Sequence, residues 1–328
     1  MAFLLRYFVV MALIIIIVPG IIVLARGWLM PPPEQLDSPR MINLFLTGTG
    51  QIVVLPLEEY VAGVVAAEMP ARFAMAALEA QAVAARTYVV RRARKFGGVG
   101  CGRHPLADVC DDPAHCQAYL PPSALQLKWG LIDFSGNMEK IQQAVANTAH
   151  QILTYRGRVI DPIYHSTCGG RTEYAEKVWA NRYPYLSGRI CGFCTHSNRF
   201  IEQKTFSPAE FLALVGQEGG AILAVRDLTR RPSPIEILRR SESGRVKELR
   251  VGNRHLTGTV MRGLLGLRST NFTIVATRES VLVTTRGHGH GVGMCQWGAD
   301  GLASAGKDFA YILKFYYQGV SLASIEGR

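Results

Sequence analysis

Charge is scarce in this chain. Only 19% of its 328 residues are Asp, Glu, Lys or Arg, against 48% that are hydrophobic. A sequence so poor in charge and so rich in apolar side chains can bury a core, which excludes a disordered tail. Its 33 glycines follow no period, so it is no collagen-like fibre. Seven cysteines spread over this length do not make a disulfide-stapled miniprotein. Internal repeats are absent. Acids are the scarcer charge, 25 against 36 bases, for a formal +11. The excess survives removal of the first thirty residues, which hold only Arg6 and Arg26. Such a basic surface suits a polyanion: nucleic acid, an anionic membrane face or an acidic cell wall. The length fits one elaborated domain or two small ones.

Long apolar runs are equally scarce. One stands out, Tyr7 to Ala25, without a single charge. It just meets the length needed to cross ~30 Å of hydrocarbon. No small-x-small cleavage site follows Leu24-Ala25-Arg26, which favours an uncleaved anchor over a signal peptide. A buried core helix fits poorly, because Pro19-Gly20 interrupts the run. The expected organisation is a short cytoplasmic stretch at 1–6, a transmembrane anchor at 7–25 and a Pro-rich linker at 26–40. A folded domain follows at 41–322. Pro31-Pro32-Pro33 stiffens the linker. The chain is then a single-pass protein of the cell membrane with its bulk outside the cytoplasm, where nucleic acid is no partner.

The rest of the pattern predicts an α+β fold, helices packed around a largely antiparallel sheet. Residues 41–55 read as a strand pair turning at Thr47-Gly48-Thr49-Gly50. Pro56 opens a helix that Met69-Pro70 stops, and a second runs from about Met75 to Lys95. Glu139 to Ala149 looks helical, 151–165 strand-like, and 166–200 irregular. A short helix follows Ser207-Pro208. Residues 221–285 read as strands, with a turn at Gly252-Asn253. A Gly/His loop at 286–293 and two short helices close the chain.

On the first helix, Leu57, Tyr60, Val61, Val64 and Val65 form an apolar stripe, and Glu68 falls on it. A desolvated carboxyl has a raised pKa and suits a general acid. The bland alternative is a buried structural acid paired with Arg86. Glu58 and Glu59 fit the helix N-terminus. Six separate stretches carry a resemblance that spacing alone does not supply. They are PLEEYVAGVVAAEMPARFAMAALEAQAVAARTYVVRR at 56–92, CDDPAHCQAY at 110–119, YHSTCGGRT at 164–172, VWANRYPYL at 178–186 and LLGLRSTNF at 264–272. GHGHGVGMCQWGADGLASAGKDFAYILKFYYQGV at 287–320 completes the set. Together they resemble the stage II sporulation protein D family, the SpoIID/LytB domain. The resemblance implies a SpoIID-like catalytic domain over 41–322 that is a lytic transglycosylase of peptidoglycan, with Glu68 catalytic. It further implies action on denuded glycan strands during septal wall remodelling and engulfment, beside other sporulation wall hydrolases and membrane proteins.

Such an enzyme breaks the bond from N-acetylmuramic acid to N-acetylglucosamine without water, so one acid/base suffices. Hydrolysis would need a second carboxylate; Asp161, Glu173 and Asp300 are available. The resemblance makes the 287–293 loop and His165, Ser166 and Thr167 two walls of a glycan groove. His288 and His290 belong to the first wall. Gln296 suits an acetamido group and Trp297 a sugar face. Arg86, Tyr88 and His115 are expected among the substrate contacts. His104, Cys110 and Cys116 offer zinc ligands, with His115 as a possible fourth, although a Cys110–Cys116 disulfide fits the spacing as well. The family resemblance favours zinc. A second set, Cys168, Cys191, Cys194 and His196, is zinc or a disulfide. Cys101 and Cys295 read as free or packing residues, and no organic cofactor is expected. The competing functions are a non-catalytic amidase enhancer and a zinc amidase using His288 and His290.

Overall fold

Two prolines set the first helix. Pro56 precedes helix α1 (Leu57–Glu68), and Pro70 forces Met69 into an extended conformation, φ −119° and ψ 146°. The helix therefore ends on Glu68. The computed structural model describes residues 40–216, 225–230 and 233–326. The expected cytoplasmic stretch, the anchor at 7–25 and all of the linker but Arg40 lie outside them. Among the described residues no helix is long and apolar enough to cross a membrane.

Ahead of α1, strands β1 (Met41–Leu46) and β2 (Gln51–Pro56) form the expected antiparallel hairpin. Helix α2 (Met75–Arg92) is the centre of the domain, buried on every side from Ala80 to Val90. Its alanines let α1, helix α3 (Pro122–Asn147) and strand β4 (Gln151–Tyr155) approach closely. The stripe expected on α1 turns out to be nearly the whole cylinder, since Leu57 and every residue from Tyr60 to Ala66 are buried. Helix α2 stops at Arg92, before the expected Lys95, because Ala93 is extended. Helix α3 starts well before the expected Glu139. It is two helices joined at Gly130, whose φ of 75° is the left-handed conformation glycine tolerates.

The sheet expectation needs correcting. In place of one sheet there are five small ones among the described residues. Strand β3 (Val109–Cys110) runs parallel to β1. Strand β5 (Arg158–Val159) pairs with β4, and the last strand returns to β4 from the other side. Strand β6 (Tyr164–His165) pairs in parallel far along the chain. Strands β7 (Ile201–Phe206), β8 (Ile235–Arg240), β9 (Val246–Val251), β10 (Arg254–Thr257), β11 (Phe272–Ala276) and β12 (Val281–Arg286) make two antiparallel three-stranded sheets. With helices α4 (Pro208–Gly216) and α5 (Gly258–Leu264) they enclose a second, smaller core around Phe211, Leu249, Met261 and Val283. Helix α5 falls where only strands were expected; the Thr257 hydroxyl caps it by accepting from Val260 N–H. Strand β13 (Met294–Cys295), helices α6 (Gln296–Ser304) and α7 (Phe309–Tyr316) and strand β14 (Ser321–Ser324) complete the domain.

One ion pair binds the helical half together. Arg86, fully buried on α2, donates from Nε to Glu58 Oε1 at 2.8 Å and from Nη2 to Oε2 at 2.5 Å. The same guanidinium reaches Val145 O on α3 and Gln151 O on β4, each at 3.2 Å. Arg86 is thus a structural tie and no substrate contact, and its acid is Glu58, not Glu68. A charge this buried is tolerated because it is paired and hydrogen-bonded on all sides. Glu58→Gln leaves the guanidinium without its counter-charge, and urea denaturation is expected to show a loss of about 3–5 kcal/mol. Parental stability in that variant would mean that the two carbonyls alone suffice.

Candidate active site

Because α1 ends on Glu68, its carboxylate projects from the end of the helix toward β6 and α6. Both oxygens are held. Ala118 N–H donates to Oε1 at 3.1 Å, and Gln296 Nε2 donates to Oε2 at 3.2 Å. The Tyr164 hydroxyl also donates to this carboxylate. Behind it, Gln117 Nε2 donates to the Tyr164 oxygen at 2.8 Å, and Tyr60 O–H reaches Gln117 Oε1 at 3.4 Å. Burial nevertheless dominates, pushing the Glu68 carboxyl above its ordinary value against these hydrogen bonds and the nearby Lys128 charge. A helix C-terminus is also the wrong end for negative charge. Glu68 can hold a proton where an exposed glutamate would not.

Two pockets meet at this carboxyl, one of about 510 Å³ and one of about 940 Å³. They share Ala67, Glu68, Ser166, Arg199 and Gln296, so they form one groove with Glu68 near its middle. The smaller arm carries Phe73, Lys128, Trp129 and Trp297. Trp297 is wedged edge-on against Phe73 at 4.9 Å and His196 at 5.1 Å, with Arg72 over its ring at 5.7 Å. The larger arm is walled by Tyr88, Asp161, Trp179, His288 and His290 and by Arg92 and Arg262. Burial first, and neighbouring arginines second, pull both His288 and His290 down to about 4, so these rings are neutral at physiological pH. His165 Nδ1–H donates to Val292 O at 3.0 Å, leaving Nε2 buried without a partner.

The Gly/His loop is firmly held. Thr167 and His288 exchange backbone hydrogen bonds at 3.0 and 2.7 Å, and Gly291 O accepts from Glu173 N–H at 2.7 Å. Gly293, at φ 71°, lies so close to Ile163 O that a Cβ would collide with it.

At the end of the larger arm, Cys101, Cys110, His115 and Cys116 bring their ligand atoms within 4.8 Å of one another. His115 Nδ1 lies 3.6, 3.4 and 3.4 Å from the sulfurs of Cys101, Cys110 and Cys116. Tetrahedral zinc, with Zn–S near 2.3 Å and Zn–N near 2.0 Å, spaces a sulfur and a nitrogen by about 3.5 Å. The donor set fits zinc. None of the seven cysteines is in a disulfide.

These features find their counterparts among known proteins. A family profile described as Stage II sporulation protein matches residues 46–155. Over 294 residues the chain is 36% identical to Stage II sporulation protein D of Bacillus amyloliquefaciens, covering 90% of this chain and 82% of that protein. The chain belongs to the stage II sporulation protein D family. The Bacillus subtilis (strain 168) protein of the same name is 36% identical over 289 residues, 88% of this chain and 80% of its own length. A more distant relative is the amidase enhancer of Bacillus subtilis (strain 168), 25% identical over 80% of this chain and 40% of that protein.

This family member gathers most of the positions its sequence singles out. Glu68, Tyr88, His115, His165, Ser166, His288, His290, Gln296 and Trp297 all line the groove. Arg86 does not, and Thr167 is wholly buried with its hydroxyl 2.9 Å from that of Ser197. His104 is no member of the cradle. Its ring stacks on Phe45 at 5.1 Å and its Nδ1 accepts from Leu106 N–H, while Cys101 takes the place expected for it. In the second set Cys295 replaces His196, which instead bonds Asp300 Oδ2 through Nε2 at 3.0 Å. Of the candidate second acids, Glu173 is buried on Ser243 O–H and Asp300 accepts Ala74 N–H; only Asp161 reaches the groove. Sequence reasoning missed Tyr164, Lys128, Trp129, Trp179 and Arg199. Tyr164 and Trp179 sit inside the motif stretches, whereas Lys128, Trp129 and Arg199 lie in none and carry no pattern.

The raised carboxyl of Glu68 has a consequence for stability. Below the ordinary glutamate value it is protonated both folded and unfolded, and costs folding nothing. As pH rises through the raised folded value, folding must bury a charge and stability is lost. Glu68→Gln removes that cost, and the Gln296 amide can turn to accept from the new one. The melting temperature of Glu68→Gln relative to the parent should therefore increase between pH 4 and pH 7. A difference that shrinks over that range would show that the hydrogen bonds outweigh burial.

Proposed function

We propose that this protein is a lytic transglycosylase that cuts peptidoglycan glycan strands, with Glu68 as its single acid/base. The observation that supports this best is a protonatable carboxyl, held at both oxygens, near the middle of a two-armed groove. A strand-cutting enzyme needs sugar subsites on both sides of the scissile bond. Glu68 gives its proton to the glycosidic oxygen as the bond to C1 of the muramyl residue breaks. The carboxylate so formed, steadied by Ala118 N–H and Gln296, takes a proton from the muramyl 6-hydroxyl as that oxygen bonds to C1. The product is a 1,6-anhydro sugar and Glu68 is protonated again. No water is consumed. Zinc held by Cys101, Cys110, His115 and Cys116 would supply a structural tie for the loop that carries Ala118. Denuded strands, without stem peptides, are the substrate in this reading, and wall remodelling during sporulation its setting.

The likeness to the amidase enhancer favours a second reading, in which the domain binds wall glycan without cutting it. A zinc amidase finds less support: His288 and His290 belong to neither of the ligand groups found among the described residues. Mass spectrometry of denuded glycan treated with the purified protein separates these. Anhydro-muramyl ends are expected, and Glu68→Gln should lower their yield about 10²–10⁴-fold, the range general acid–base catalysis contributes. Ends heavier by one water would assign hydrolysis and bring in Asp161; no cleavage by folded protein would leave the binding reading.

The chain is further read as held at the membrane by residues 7–25, with the groove on the extracytoplasmic side. N-terminal analysis of the mature protein should find that segment retained. A mature form beginning near residue 26 would make it a cleaved signal.

A further inference from the structure

A second sulfur cluster lies apart from the cradle, in the core under the groove. Cys168 follows β6, Cys191 and Cys194 flank a single 3-10 turn, and Cys295 ends β13. All four side chains are fully enclosed, at 0–1% exposure. Their sulfurs lie within 4.8 Å of one another, and those of Cys168 and Cys194 are 3.4 Å apart. That is far beyond a disulfide bond of about 2.05 Å and near the ~3.8 Å edge of a zinc tetrathiolate with 2.3 Å bonds. A single ion fits; a multi-iron cluster, which spreads its cysteines wider, does not.

The surroundings are built for thiolates. Cys168 N–H and Gly298 N–H donate to Cys295 Sγ at 3.2 and 3.3 Å, and Gly170 N–H donates to Cys168 Sγ at 3.4 Å. The Tyr316 hydroxyl lies 3.1 Å from Cys191 Sγ. Cys295 is also the N-cap of α6, where the helix dipole favours negative charge. A Cβ on Gly298 would collide with the Tyr316 hydroxyl and crowd Cys191 Sγ, so only glycine lets the helix close over the sulfurs. Arg245, nearly fully buried, donates from Nη2 to the carbonyl of Cys168 at 3.2 Å and brings positive charge beside the cluster.

We propose that Cys168, Cys191, Cys194 and Cys295 bind one zinc ion as a purely structural site, separate from the Cys101 cradle. On binding, each thiol gives its proton to solvent and its sulfur to the metal. Four thiolates and one Zn²⁺ leave a double negative charge, which the backbone N–H donors, Tyr316 and Arg245 offset. The site fastens three distant chain segments to one point. Its ligand Cys295 adjoins Gln296, so it fixes the residue that holds Glu68 Oε2. The two clusters together account for all seven cysteines, which the odd count leaves unexplained as disulfides.

The test is zinc analysis of the full chain, purified with reductant and without chelator. Two zinc ions per chain are expected, falling to one in Cys191→Ser and to one in Cys101→Ser, and staying at two in His104→Ala. X-ray absorption on Cys101→Ser, which keeps only the proposed site, should show a sulfur-only shell near 2.3 Å. The proposal is overturned by a parent zinc content that Cys191→Ser leaves unchanged, by nitrogen in the Cys101→Ser shell, or by a disulfide among the four on peptide mapping. Should Cys191→Ser fail to fold, the zinc content and spectrum of Cys101→Ser still decide.

Discussion

The constraint on which this site depends is the cost of keeping a carboxyl half-buried at the C-terminal end of a helix. Burial and the helix dipole both oppose its ionisation, and only directed hydrogen bonds hold it in place. Three donors supply those bonds: Ala118 N–H, the Gln296 amide and the Tyr164 hydroxyl on β6. Ala118 stands two residues after Cys116, and Gln296 one residue after Cys295. Two of the three donors to Glu68 are therefore near neighbours of a cysteine in one of the two ligand clusters. Neither donor belongs to a helix interior, where backbone bonds would fix it; each sits at the exit of a loop or the start of a helix. Around Gln296 the backbone bonds from Met294 N–H to Ile163 O and from Trp297 N–H to Ser166 O, each at 3.1 Å, already hold the chain, and a cross-link through the cysteines would add to them.

The groove walls follow from the same economy of backbone. His165 and Ser166 are placed by the parallel pairing of β6 with β13, and the Gly/His loop is pinned to Thr167 on one side and Glu173 on the other. Alternate glycines at 287, 289, 291 and 293 all take positive φ. That lets the chain press against Ile163 and Arg245 while keeping His288 and His290 in the wall. The imidazoles stay neutral because burial and the neighbouring arginines both disfavour their cations. Positive charge in the wider arm is thus left to the arginines.

Much of this was legible in the residues, and the failures have physical causes. Met69-Pro70 marks the end of α1 because proline restricts the residue before it, and so it places Glu68. The cysteine partners were not legible, since ligands meet in space and not in sequence. Cys101 N–H bonds Ala107 O at 2.9 Å, closing a turn that buries Cys101 and carries His104 out onto Phe45. His104 was the nearer donor by count and the wrong one by geometry. Cys295 reaches Cys194 only because β13 pairs with β6. Arg86 misled for a different reason: on a helix buried all round, a charged residue has to find its acid inside, and Glu58 on the adjacent helix supplies it.

Helix α3 shows how a feature without a motif still tunes the site. Its first segment would run straight into the second, but Gly130 turns the chain with a left-handed φ. The segment then lies with Lys128 donating to Ala66 O at 3.0 Å, one of the last carbonyls of α1. A lysine at that end complements the helix dipole. The same ammonium faces Glu68 and works against the rise that burial imposes on it, while its own pKa is lowered by burial and raised by Glu68. Burial thus raises the proton affinity of Glu68, and the hydrogen bonds from Gln296, Ala118 and Tyr164, and then the Lys128 charge, oppose that rise. A carboxyl held between such opposing influences is what the proposed reaction calls for, since there one group gives a proton and then takes one back.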